Sequence, residues 1–89
     1  MFIVGDVGNT ETKIYLVTSK GTILKKVKLN TDFITSRYLS LKLKGLIKKK
    51  KNIKKILFCS VVPKVFIKIK KFIKKEIHLK CIEIKDLNF

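Results

Sequence analysis

The sequence predicts an α/β fold, in which helices pack on a mixed five-stranded sheet and the elements follow the order β-β-β-α-β-α-β. Three short segments rich in β-branched residues open the chain and are joined by tight-turn signals, which is typical of an antiparallel meander. A continuous apolar run at residues 56–62 precedes a strongly amphipathic segment, which is typical of a buried strand and a crossover helix. Apolar residues form 46% of the 89-residue chain, so a disordered chain is excluded and one small domain is expected.

The first half of the chain is predicted to form three antiparallel strands. They cover residues 2–4, 12–18 and 22–29. Turn signals that contain glycine separate them at residues 7–10 and 20–21. In the third strand, Ile23 and Val27 are expected to share one face because side chains alternate along a strand. Asp6 is expected at the end of the first strand, directly before the first turn.

The middle of the chain is predicted to form a helix and a central strand. The helix covers residues 34–51, with Thr31-Asp32 as its N-terminal cap. Apolar residues that recur every three or four positions form its buried stripe: Ile34, Tyr38, Leu39, Leu41, Leu43, Leu46 and Ile47. The uninterrupted apolar run at residues 56–62 then predicts a strand that is buried on both faces.

Pro63 is predicted to begin a second helix, because its missing N–H is harmless in the first turn. One face of this helix is apolar and contains Phe66, Ile69, Ile73 and Ile77. The opposite face contains Lys64, Lys68, Lys71 and Lys75. A final strand is expected at residues 78–84, with an alternation that continues to Lys85.

A meander followed by right-handed crossovers gives the strand order 3-2-1-4-5, which is the ribonuclease-H-like arrangement. Nucleases, actin-like ATPases and small-molecule kinases all use this arrangement, so the fold alone does not decide the function. A two-metal nuclease needs several carboxylates, and the segments 34–51 and 56–62 contain none. The nuclease is therefore excluded.

The chain is strongly basic, with 22 Lys and Arg against 6 Asp and Glu and a formal charge of +16. Only Arg37 is arginine, whereas proteins that read nucleic acid favour the planar fork of that side chain. We interpret the lysines as solvated surface and expect no specific nucleic-acid partner. The lysine cluster at residues 48–55 keeps open an alternative function, a noncatalytic nucleic-acid-binding domain.

The remaining composition indicates a reduced, cytoplasmic protein. Cys59 and Cys81 are too few for a disulfide framework or a zinc site, and both are expected to be buried small hydrophobes. No apolar run approaches the roughly 18 residues that a membrane span needs, so no membrane partner is expected. His78, the only histidine, has no neighbouring nucleophile and is not expected to be catalytic.

The residues with the clearest chemistry lie at the first turn. Asp6 can reach a metal ion that is bound to phosphates, and Gly8 allows the backbone to approach a ligand closely. Successive N–H groups in such a turn bind anions, and the Thr10 and Thr12 hydroxyls can add donors. Taken alone, Gly8-Asn9 is equally consistent with an ordinary hairpin turn.

Three motifs resemble one family. The segment GDVGNTETKIYLV resembles the first phosphate-binding motif of the acetate-kinase, sugar-kinase, Hsp70 and actin superfamily, and its DVGNTxT form is similar to type III pantothenate kinases. The segment CSVVP at residues 59–63 is similar to their SSVVP sequence. A weaker match to their TD…T…EY stretch comprises Asn30, Thr31, Asp32, Thr35 and Tyr38.

The resemblance implies an actin-like ATPase domain that takes part in ATP-dependent phosphorylation of pantothenate, the first step toward coenzyme A. It implies that the hairpin holds the ATP phosphates through Asp6, Val7, Gly8, Asn9, Thr10, Glu11, Thr12 and Lys13. Asp6 would bind Mg²⁺. The side chain of Lys13 could point to either face of its strand.

The chain also departs from the family pattern. No GxDR motif occurs in it, and that motif carries the general base of the family's second actin-like domain. The monovalent cation site (K⁺ or NH₄⁺) and the homodimer interface depend on the same domain. Ser36-Arg37 replace the acidic pair before the family's tyrosine. We therefore expect residues 1–89 to be an N-terminal half-domain without the second domain, inactive by itself.

Overall fold

A computed structural model describes residues 1–84. Five strands form one sheet: β1 (Phe2–Val7), β2 (Glu11–Val17), β3 (Ile23–Asn30), β4 (Lys55–Ser60) and β5 (Cys81–Glu83). Their spatial order is β3-β2-β1-β4-β5. Strand β2 is antiparallel to β1 and β3, while β4 is parallel to β1 and β5. The mixed sheet and its strand order confirm the prediction.

The strand boundaries differ most at β1. It extends to Val7, three residues beyond the predicted end, because Gly5 and Asp6 pair with β2 on one side and β4 on the other. Asp6 is therefore the penultimate residue of the strand and not its end. In β3 the predicted shared face of Ile23 and Val27 is wrong, since Val27 is buried while Ile23 is 58% exposed beside an irregularity in the β2–β3 register.

The predicted helix over residues 34–51 is interrupted. It consists of α1 (Ser36–Lys42) and α2 (Lys44–Ile47), with short 3-10 helices at Thr31–Phe33 and Lys50–Asn52. The cap of α1 is Thr35, whose hydroxyl accepts from the Tyr38 N–H at 3.1 Å. Thr31 cannot cap this helix because its side chain is buried elsewhere. Leu41, assigned to the buried stripe, is 70% exposed.

Helix α3 (Pro63–Ile77) begins at Pro63 and ends at Ile77 as predicted, but the residue that follows it differs from the prediction. His78 was expected to open a strand, yet it closes the helix in the left-handed conformation (φ 65°) and donates its N–H to the Lys74 carbonyl. The last strand therefore begins only at Cys81. Lys85 lies outside the described residues. Within residues 1–84, no helix has the length and apolarity required to cross a bilayer.

The core lies on one face of the sheet. Along β4 Ile56 and Phe58 are buried, whereas Leu57 and Cys59 are only half-buried, so the predicted burial of both faces is wrong. Both crossovers run across the sheet in the same direction, and right-handed crossovers of this kind place their helices on the same face. Helices α1 and α3 contact each other accordingly. The opposite, open face carries Asp6 together with exposed apolar side chains such as Val4 and Ile82.

Candidate phosphate-binding site

The three sequence motifs meet at one edge of the sheet. Strands β1 and β4 are parallel and in register at Val7 and Ser60, so their carboxyl ends lie together. The Val61 N–H donates to the Val7 carbonyl at 3.0 Å, and α3 begins two residues later. In open α/β sheets, ligands bind outside the carboxyl ends of the strands. A ligand site is therefore expected at this edge, beside the carboxyl ends of β1 and β4.

The turn between β1 and β2 leaves backbone donors available. The Gly8 N–H donates to the Glu11 carbonyl at 3.1 Å and closes the turn. Asn9 and Thr10 are exposed, and no acceptor for their N–H groups occurs in the part of the chain that the structure describes. Gly8 does not need its conformational freedom here, because its φ is not positive. A Cβ at Gly8 would instead lie only 3.0 Å from the Glu11 carbonyl oxygen, so close approach favours glycine.

Charged side chains form a row across the open face beside this turn. The register pairs Asp6 with Lys13 of β2, and pairs Lys13 with Lys28 of β3. Directly opposed residues of adjacent strands share a face, so the side chain of Lys13 lies on the same side as Asp6. The exposed ion pair between Lys28 and Glu11 has an N–O distance of 3.9 Å and contributes little to stability. The row places two cations next to one carboxylate.

The Thr12 hydroxyl lies beneath the turn and not on its open side. Thr12 is fully buried, and its Oγ1 lies 2.9 Å from the Oγ1 of Thr31. The Thr31 hydroxyl donates to the Gly8 carbonyl at 2.9 Å. Val7 is also fully buried, in the apolar core. Among the eight residues predicted for the site, the exposed ones are Asp6, Asn9, Thr10 and Glu11.

The segment after β3 supports the turn from the other side. The Asn30 N–H donates to the Tyr38 hydroxyl at 3.0 Å, and the Asn30 side chain accepts from the Asp32 N–H at 3.0 Å. The Thr31 N–H donates to the Thr10 carbonyl at 3.0 Å. Sequence reasoning did not assign Thr31 to the site, although the Asn30-Thr31-Asp32 match was a signal for it. Within this match, Thr31 therefore hydrogen-bonds to the turn itself, while the other residues bond to one another.

A magnesium ion carried by phosphates fits this edge. Asp6 has an exposed carboxylate next to the turn. Within residues 1–84 no cluster of three or more metal-binding side chains occurs, so these residues form no all-protein metal cage. Mg²⁺ commonly binds one or two carboxylates and takes its remaining ligands from substrate phosphates and water. The donor set thus suits Mg²⁺ bound together with a nucleotide.

The lysine cluster at residues 48–55 lies at the opposite end of β1. The Met1 amine donates to the Asn52 carbonyl at 2.9 Å, and the Lys54 N–H donates to the Met1 carbonyl at 2.8 Å. The strand from Phe2 to Val7 separates this cluster from the turn by about 17–20 Å at the usual rise per residue. The cluster is therefore not part of the candidate site.

The two cysteines are in different environments. Cys81 is buried, and burial raises the pKa of its thiol to about 11 although nearby Lys70 acts in the opposite direction. Cys59, also predicted to be buried, is half-exposed on the open face, because none of the helices described within residues 1–84 covers that side of β4. Both are free thiols.

We expect iodoacetamide at pH 8 to modify Cys59 well before Cys81 in the folded protein. Only the thiolate reacts, and raising the pKa of Cys81 from 9.0 to about 11 lowers its thiolate fraction about a hundredfold. Peptide mass spectrometry at timed intervals measures both rates. In denaturant the two rates should converge, and equal rates in the native protein would contradict the burial of Cys81.

An α/β domain with this strand order and a donor-rich turn after its first strand is consistent with the actin-like ATPase class. A family model described as Type III pantothenate kinase matches residues 2–88, and the chain belongs to that family. The chain is also similar to the Type III pantothenate kinase of Pelagibacter ubique (strain HTCC1062), with 56% identity over 88 residues. The match covers 99% of this chain and 36% of the relative, so the chain spans about a third of that protein's length.

Proposed function

We propose that this chain is the ATP-phosphate-binding part of a pantothenate kinase built on a ribonuclease-H-like fold. The reaction is ATP-dependent phosphorylation of pantothenate to 4′-phosphopantothenate, in the cytoplasm. The observation that carries the proposal is the exposed Asp6 carboxylate beside a turn whose Asn9 and Thr10 N–H groups have no acceptor within residues 1–84. The family match and the name of the relative support pantothenate as the acceptor.

Each residue of the site has a role that its position suits. The N–H groups of Asn9 and Thr10 donate to phosphate oxygens, and the exposed Thr10 hydroxyl is a further donor. Lys13 and Lys28, beside Asp6 on the open face, offset the negative charge of the phosphates. Asp6 would hold Mg²⁺, which would supply charge neutralisation for the phosphates. Val7 and Thr12 are buried and hold the turn in place.

The 89-residue polypeptide is proposed to bind nucleotide without turning over pantothenate. Phosphoryl transfer needs groups on both sides of the transferred phosphate, and all the residues named above lie at one edge of one sheet. In this proposal a second actin-like domain provides the catalytic base, the site for K⁺ or NH₄⁺ and the surfaces of a homodimer.

A chimeric enzyme tests this function. The 88 residues of this chain that align with the Pelagibacter ubique protein at 56% identity replace the matching segment of that protein. We expect ATP- and pantothenate-dependent release of ADP in a coupled assay, and its loss when Asp6→Asn is introduced. The isolated 89-residue chain should give no turnover in the same assay. A folded chimera without pantothenate-dependent turnover would contradict the proposal, as would activity that Asp6→Asn leaves unchanged.

A further inference from the structure

We propose that Thr31 is a positioning residue that orients the backbone N–H groups of the phosphate-binding turn. The proposal rests on the function proposed above and deepens it. Thr31 lies outside the eight residues assigned to the site, and it is only 3% exposed, so it cannot contact a bound nucleotide itself. It acts through the carbonyl groups of Gly8 and Thr10.

The protons of the buried hydroxyl pair can be assigned. A threonine hydroxyl has a single proton to donate. Thr31 gives its proton to the Gly8 carbonyl at 2.9 Å, so Thr12 must be the donor in the 2.9 Å contact between the two hydroxyls. The bonds therefore run in one direction, from Thr12 to Thr31 and from Thr31 to Gly8. This commits the Thr12 hydroxyl to Thr31 and leaves it no proton for a phosphate.

The geometry of the peptide bond transmits this arrangement to the ligand side. In a trans peptide the C=O of one residue and the N–H of the next point in opposite directions, and residues 1–84 contain no cis peptide. The Gly8 carbonyl is held toward Thr31, so the Asn9 N–H points away from it. The Thr31 N–H holds the Thr10 carbonyl at 3.0 Å, so the Glu11 N–H likewise points away.

This arrangement also removes two repulsive groups from the binding surface. A carbonyl oxygen that faced a phosphate would oppose binding, because both carry negative charge. Thr31 turns the carbonyls of Gly8 and Thr10 inward and gives both a donor. A fixed set of donors also needs no reordering when the anion arrives, which favours binding.

The test compares Thr31→Val with Thr31→Ser. Valine has the shape of threonine but no hydroxyl, whereas serine keeps the donor. We expect Thr31→Val to weaken Mg·ATP binding about tenfold in calorimetry, as the loss of one oriented donor on an anion should, while Thr31→Ser stays within about twofold of the wild type. Without nucleotide, the Gly8 carbonyl ¹³C shift should move in Thr31→Val and stay in place in Thr31→Ser.

Thr18→Val is the matched control. It removes a hydroxyl that accepts the Thr22 N–H at 3.1 Å in the turn between β2 and β3, away from the site. This variant should leave nucleotide affinity unchanged and leave the Gly8 carbonyl shift in place. If Thr31→Val does not fold, Thr31→Ala replaces it, because alanine puts no methyl group against the Gly8 carbonyl.

The outcomes separate this inference from the proposed function. Equal affinity and an unmoved Gly8 carbonyl shift in Thr31→Val, with a wild type that binds Mg·ATP, would overturn the positioning role alone. A wild type that does not bind Mg·ATP would overturn the proposed function. The Gly8 carbonyl shift would still decide, without nucleotide, whether Thr31 orients the turn. Loss of affinity in Thr31→Ser as large as in Thr31→Val would also overturn the inference, because serine retains the hydroxyl.

Discussion

Gly5→Ala is expected to lower the free energy of unfolding by about 2–3 kcal/mol, near the upper end for overpacking a well-filled core. Gly5 lies in the middle of β1, directly opposite Phe58 of β4. A Cβ at this position would coincide with the Phe58 ring, which is fully buried and packs on Phe66 with 5.8 Å between ring centroids. Because the ring lies within the core cluster, moving it would displace neighbouring core side chains.

The measurement is a thermal melt followed by circular dichroism. For a domain of this size the expected loss corresponds to a decrease in Tm of roughly 10–20 °C. Gly45→Ala is the matched control, because the group near its new Cβ is the flexible end of Lys25 and the residue lies in helix α2. There alanine should be neutral or stabilising by up to about 1 kcal/mol.

A double variant of Gly5 and Phe58 tests whether contact with the Phe58 ring causes the loss of stability in Gly5→Ala. If the Phe58 ring is the obstacle, Phe58→Leu should cost less stability in the Gly5→Ala background than in the wild type, because the two changes compensate in volume. Strictly additive losses would contradict the close contact between Gly5 and Phe58. A Gly5→Ala protein as stable as the wild type would contradict it as well.

Asp6→Asn is expected to reduce, by about tenfold or more, the factor by which Mg²⁺ strengthens ATP binding. Losses of this size are typical when a side chain that supports a metal ion is removed. Amide oxygen is a weaker ligand for Mg²⁺ than carboxylate. Without magnesium, Asp6→Asn should have the opposite effect on ATP binding. The Asp6 carboxylate then only repels the phosphates, so its removal should leave the ATP affinity equal or higher. The quantity to measure is the ratio of the ATP dissociation constants in EDTA and in Mg²⁺.

Asp32→Asn is the charge-matched control for this experiment. Asp32 is exposed in the 3-10 helix after β3, so the variant removes one negative charge near the same edge of the sheet. It should change the affinity in both solutions alike and keep the ratio. If both variants reduced the ratio equally, general electrostatics would explain the effect and Asp6 would have no direct role with the metal.

The strand order of the sheet could be predicted from local patterns, whereas the face that the helices cover could not. Strand order follows from the short turns and from the handedness of crossovers, which are local rules. Which face of β4 is covered depends on where two separate helices pack, so the apolar run at residues 56–62 did not show that Cys59 and Val61 are accessible. The start of the first helix at Ser36, with Thr35 and not Thr31 as its cap, has a similar origin, because Thr31 is held by contacts made elsewhere in the fold.

For the candidate site, the residues on the turn could be proposed from the sequence, but their support could not. The contact between Thr31 and Gly8 joins residues 23 positions apart, and no periodicity reports such a pair. The burial of Thr12 did have a signal. Thr12, Ile14 and Leu16 alternate along β2 and are all buried, so strand periodicity assigns Thr12 to the core face.

The most direct test of the central claim is an amide NMR titration of the 89-residue chain with Mg·ATP. The turn after β1 is proposed to bind the phosphates, so the signals of residues 6–13 should move in a saturable way, with the largest shifts at Asn9 and Thr10. The lysine cluster at residues 48–55, at the other end of β1, should stay largely unmoved at physiological salt. Saturation with no change at residues 6–13, or with shifts confined to residues 48–55, would contradict the account.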